Sequence, residues 1–183
     1  MQLVEVIDTA VKIGLGALIS GGTVYVTQKQ NHKAHAQAEA KKTEKDLLLA
    51  ILSNFDTYTR TLNDFHAVLD GTRISAQKYE LDVEEWDDLW CYVSDHAEKL
   101  FEIGDTYTAA SSRLRLLGLH QALEKLEAIG RQEDELRQFY NQISNQKVYP
   151  KERYLLEWHE QFRLNKIAFN EAMAKHYRSL VRT

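Results

Sequence analysis

The chain has 183 residues, a formal net charge of −4, 44% hydrophobic residues and 27% charged residues. That size allows one domain with an appendage, the apolar share excludes wholesale disorder, and the charge supplies no global basic field directed at nucleic acid. A single cysteine excludes an intrachain disulfide or a cysteine-based zinc site, and one proline leaves long helices uninterrupted.

Four of the eight glycines (Gly14, Gly16, Gly21, Gly22) fall in residues 13–26, IGLGALISGGTVYV, fourteen positions without a charge. A membrane-spanning helix needs about 20 mainly apolar residues. Counting back to Val6 gives twenty-one, interrupted only by Asp8 and Lys12, which are four apart and can pair on a helix. Residues 1–27 therefore read as a single-pass membrane-anchor helix. Lys29, Lys33, Lys41, Lys42 and Lys45 follow the segment and Lys12 alone precedes it, which places the amino terminus outside and the carboxy-terminal bulk in the cytoplasm. Glu5 and Asp8 do not suit the basic start of a secretory signal peptide. Gly16 to Thr23 has phosphate-loop spacing, but Gly22 stands where lysine must neutralise phosphate, so that reading is rejected. Ala10, Gly14, Ala17 and Gly21 form a small-residue face of the kind that lets membrane helices approach closely, and a homo-oligomer is expected through it. The bland alternative is a soluble helical subunit that buries this segment in an oligomer.

Residues 28–46 are polar and rich in alanine, glutamine and lysine, and read as a solvated helical stalk. Residues 47–183 read as the helical bundle domain. Leu48, Ile51, Leu52, Phe55, Tyr58, Leu62, Phe65 and Leu69 form one helical stripe, with Asp70-Gly71 as its stop. Residues 72–81 read as a loop. Asp82 with Glu85 resembles a capping box opening a second helix lined by Val83, Trp86, Trp90, Val93, Ala97 and Leu100, with Gly104 at its end. A third helix starts near Asp105 or Thr106 and carries Leu119, Ala122, Leu126, Ile129, Leu136, Tyr140 and Ile143, with Gly118 and Gly130 as places where it kinks or divides. Pro150 suits a first helical position, and Leu155, Trp158, Phe162, Phe169 and Met173 give a fourth stripe. The expected fold is all-α: an amino-terminal transmembrane helix, a stalk and an antiparallel four-helix bundle.

Residues 80–102 carry nine acidic residues against Lys99, and residues 147–182 carry eight lysines and arginines against four glutamates. These read as solvated faces that attract one another within the bundle. Were the basic helix to face outward, anionic headgroups would be a partner; basic residues interleaved with exposed aromatics, which a nucleic-acid platform needs, are not found, so no nucleic acid is expected. No cofactor and no metal site is expected: His32 and His35 lie a turn apart without a third ligand, and the paired glutamate-x-x-histidine signature of di-iron bundles does not occur. His66 and His176 lie near apolar stripes and read as hydrogen-bonded core histidines. Ser94-Asp95-His96 are sequence neighbours whose side chains leave a helix in different directions, so they make no triad. Cys91, between Trp90 and Tyr92, reads as a buried hydrophobe.

One spacing carries chemistry. Arg115-Leu-Leu-Gly-Leu-His120 sets four residues between arginine and histidine, and Arg113 sets six. The pattern resembles the R-x(4–6)-H motif of HEPN ribonucleases, small all-helical domains that dimerise to form the active site. The resemblance implies an RNase in which His120 takes the ribose hydroxyl proton and Arg115 holds the phosphate. Leu116 departs from the polar residue that usually follows the arginine. The reading preferred over this one is a membrane-anchored interaction protein without catalytic activity, whose cytoplasmic bundle binds a protein partner.

Overall fold

The structure is a computed structural model that describes the backbone of residues 2–79, 83–146 and 151–182, and the side chains of residues 35–79, 84–144 and 151–180. The described residues form helices and no strand: α1 (Gln2–Lys78), α2 (Val83–Glu102), α3 (Gly104–Leu116), α4 (His120–Gln146) and α5 (Glu152–Arg182). The chain divides into two units, Met1–Glu44 and Lys45–Thr183. The side chains of residues 13–26, the face of Ala10, Gly14, Ala17 and Gly21, and those of His32, Asp82 and Pro150 lie outside the described residues. In the first unit, side chains 35–43 are exposed on every face, as a helix without an apolar stripe must be.

The second unit holds the core. In α1, Leu48, Ile51, Phe55, Tyr58, Leu62, Phe65 and Leu69 are all buried. Their spacing alternates between three and four residues over three heptads, which keeps one seam facing its neighbours along the whole length. The partners in the same buried cluster are Ala122, Leu126, Ile129, Leu136 and Ile143 of α4, and Trp158, Phe162, Phe169 and Met173 of α5. Phe55 and Phe169 stack with centroids 3.7 Å apart and planes 8° apart. Helices α4 and α5 run in opposite directions: Phe139 meets Tyr154, whereas Gln132 meets Trp158 and Asn165 further along. Residues 45–78 of α1 run with α4, since Tyr58 reaches Glu133 and Phe65 packs on Tyr140. The α2 helix packs through Val93, Ala97 and Leu100, with Trp90 stacked on Tyr140 at 5.0 Å.

Three local expectations are corrected. The α1 helix does not stop at Asp70-Gly71 but runs on to Lys78, so residues 72–78 are helix rather than loop. Thr72 and Arg73 are buried there; the Thr72 hydroxyl donates to the Val68 carbonyl, and Arg73 is held by Asp70 and Gln77 on the same helix. An Asp-Gly pair stops a helix when the glycine turns left-handed, and Gly118 is the described glycine with positive φ, at +66°. Gly118 does divide the expected third helix, into α3 and α4, whereas Gly130 lies within α4 with its bare Cα facing the Tyr107 ring. Gly104 is the first residue of α3 instead of the end of α2.

Cys91 is also corrected: it is exposed. On a helix the residue beside Trp90 in sequence is turned about 100° away from it. The buried line of α2 passes through Val93, Ala97 and Leu100 and leaves Cys91 outside.

Candidate functional site

The turn between α3 and α4 carries the residues that resemble a ribonuclease motif. The Leu117 and Gly118 amides close the end of α3 on the Arg113 and Arg115 carbonyls, and the left-handed Gly118 reverses the chain into α4. His120 is the first residue of α4 and is exposed. It borders an open cleft of about 350 Å³ shared with Gln121 of α4 and Lys175, His176 and Ser179 of α5. His176 is half-buried in the wall of this cleft. Arg115 is not among the cleft-lining residues; its guanidinium lies 3.3 Å from Glu127, with side-chain exposures of 63% and 40%. Arg113 is half-buried and Leu116 is 75% exposed. The arginine is thus engaged with a carboxylate of α4 while the histidine faces a cleft toward α5.

The polar groups that are held firmly lie inside. The Tyr58 hydroxyl donates to Glu133 at 2.5 Å, and Glu133 also pairs with Arg137. Arg137 donates to the Leu100 carbonyl and lies 4.0 Å over the Phe101 ring. One carboxylate thereby ties α1 to α4, and its arginine partner ties α4 to α2. Burial, followed by the negative charge of Glu133, pushes the Tyr58 phenol above its ordinary range, so it remains a neutral donor.

A second network joins α4 to α5. Trp158 donates its indole N–H to the Gln132 carbonyl at 3.0 Å, and the Gln132 amide returns a bond to the Trp158 carbonyl at 3.2 Å. Asn165 donates to the remaining oxygen of the Gln132 side chain at 3.1 Å. His66 of α1 stacks on Trp158 with centroids 4.7 Å apart and donates through Nε2 to the Leu155 carbonyl at 3.1 Å. Its burial lowers the imidazole pKa, partly opposed by that hydrogen bond. Apart from the Glu133–Arg137 pair, four residues apart on α4, these networks join residues from 26 to 89 positions apart, so no local spacing announces those links.

Elsewhere the side chains disperse. Ser94 turns inward to the Tyr140 hydroxyl at 3.4 Å, whereas His96 folds back on the Tyr92 carbonyl at 2.9 Å. Arg153 and Arg163 of α5 pair with Glu157 and Glu160 of the same helix, so these two arginines find their counter-charges locally. Among the described residues no three histidine, cysteine, aspartate or glutamate side chains are grouped to hold a metal ion. Among the same residues no helix is long and apolar enough to cross a membrane; residues 13–26 lie outside that set. Comparison of the chain with protein-family models, with curated proteins and with solved structures finds no match.

Proposed function

We propose that the chain is a membrane-anchored, non-catalytic interaction protein. Residues 1–27 are its anchor helix, with the amino terminus outside, and residues 28–46 are a solvated stalk. Residues 47–183 form an antiparallel four-helix bundle in the cytoplasm, with α2 and α3 in series as one of its arms, and bind a protein partner. The small-residue face of Ala10, Gly14, Ala17 and Gly21 brings two anchors together in a homo-oligomer.

The observation that carries the non-catalytic part is the division of polar groups. The Tyr58–Glu133 and Gln132–Trp158 networks are interior and join helices, whereas at the surface Arg115 pairs with Glu127 and His120 borders an open cleft. Catalysis needs groups fixed at the reacting atoms, and here fixation serves packing. The anchor rests on the uncharged run of residues 13–26 and the lysines that follow it. Interaction is supported by exposed apolar side chains away from the core, including Phe101 and Leu156 at 62% and Tyr92 at 54%.

Membrane fractionation of the full chain tests the anchor. It is expected to pellet with membranes and to resist alkaline carbonate extraction; recovery as a monodisperse species without detergent overturns the anchor. An RNA-cleavage assay on the wild-type chain and His120→Ala tests the other half. No cleavage by either is expected, and cleavage lost in His120→Ala replaces this reading with the ribonuclease.

A further inference from the structure

The outward face of α5 carries exposed apolar side chains at a regular spacing. The core side of this helix consists of Leu155, Trp158, Phe162, Phe169 and Met173, all buried. On the opposite side lie Leu156, 62% exposed, and Ile167, 42% exposed, with Leu164 beside them at 43%. Leu156 and Ile167 are eleven residues apart, three turns within about 20° of one line. Between them on that line stand Glu160 and Arg163, whose side chains are 53% and 52% exposed.

The order along this line is apolar, acid, base, apolar, at spacings of four, three and four residues. That is the spacing of a coiled-coil seam. Reversing the direction of the helix leaves the apolar positions in place and exchanges the acid with the base. A second copy laid antiparallel therefore sets Leu156 against Ile167, and Glu160 against Arg163, twice about one two-fold axis. Such an interface is isologous, each contact being made in both directions. A parallel copy would instead set Glu160 against Glu160 and Arg163 against Arg163, and like charges repel. The Arg163 guanidinium already reaches Glu160 within its own helix, at 2.7 and 2.8 Å, so each charge is oriented on the line where the partner's opposite charge falls. Four layers make a small interface, of the kind found in weak, exchanging dimers.

From this self-complementary charge and apolar pattern we infer that the outward face of α5 is a homodimer contact, in which two copies pack their α5 helices antiparallel with Leu156 opposite Ile167 and Glu160 opposite Arg163. The inference does not rest on the membrane reading, since it concerns residues 156–167 alone. It differs from association through the anchor in both site and direction.

Cysteine crosslinking of the full chain in detergent reads the register. In a Cys91→Ser background, one chain carries Leu156→Cys and another Ile167→Cys. In the antiparallel contact, the thiol introduced at position 156 of one copy lies beside the thiol introduced at position 167 of the other. Thiols at identical positions stand about 16 Å apart along the axis, beyond the roughly 7 Å Cα separation that a disulfide tolerates. Mild oxidation of the mixture is expected to yield at least ten times more disulfide dimer than either chain alone. Equal yield from a single-cysteine chain, or no crosslink in any sample, overturns the inference. Charge exchange supplies a second readout that leaves the apolar residues in place. Differently tagged Glu160→Arg and Arg163→Glu chains are expected to crosslink chemically with each other, and each to lose at least five-fold in crosslinking with itself. Self-crosslinking equal to that of the mixture overturns it.

Discussion

Two of the junctions that helix α4 makes, with α5 and with α3, differ in what holds them. Toward α5, Gln132 and Trp158 exchange bonds in both directions, with Trp158 only 3% exposed and Gln132 7% exposed. Toward α3, Arg115 and Glu127 meet at 3.3 Å in water, beside a glycine turn. Both junctions join polar groups. In the first, both bonds are buried, so an unmade bond costs desolvation and the geometry is enforced. In the second, water replaces either partner at little cost. The residues that resemble a catalytic motif sit at the loose junction, and the residues that are well oriented sit at the tight one.

The largest expected effect comes from breaking the tight junction. Trp158→Ala removes a buried aromatic and takes the indole donor from the Gln132 carbonyl, and is expected to destabilise by about 3–5 kcal/mol in urea unfolding; a loss below about 1 kcal/mol would mean that the α4–α5 seam does not hold the unit together. Tyr58→Phe keeps the ring and removes the donor to Glu133, which Arg137 still pairs, so about 1–3 kcal/mol is expected, read the same way.

His66 adds a pH dependence to the tight junction. Its folded-state pKa lies below the ordinary 6.5 because it is buried, so the unfolded chain takes up a proton that the folded chain refuses. The stability held by neutral His66 is therefore complete above pH 6.5 and is lost as pH falls from 6.5 toward the lower folded value. Urea midpoints measured from about pH 8 to about pH 5 should decline more steeply for the wild type than for His66→Gln, and equal slopes would remove His66 as the cause.

Gly71 tests where α1 ends. It is exposed, helical and has open space where a Cβ would stand. Gly71→Ala is expected to stabilise by about 0.5–1 kcal/mol, whereas a left-handed turn there would make the same change destabilising. The smallest effect belongs to the loose junction: Arg115→Ala should change stability by less than about 0.5 kcal/mol, because an exposed ion pair contributes little. A larger loss would show that this arginine is structural.

The apolar period was enough to locate most of the core. The stripes from Leu48 to Leu69 and from Leu155 to Met173 are buried as their spacing requires, with Leu52 half-buried at the edge. Local signals were less dependable, because glycine and acid–glycine pairs permit a stop without imposing one. Gly118 took the left-handed conformation, while Gly71 and Gly130 remained helical. Cys91 shows the related limit, that adjacency in sequence is not adjacency on a helix face.

What the sequence determined by itself was the helical class and the face that each helix buries, since both follow from a repeat that each segment carries alone. Tertiary structure alone decided which polar groups meet. Tyr58 finds Glu133 seventy-five residues away, and His120 shares a cleft with Lys175 and His176. Those pairings depend on how helices align after packing, and hydrogen bonds act over about 3 Å, a distance that no spacing along the chain encodes.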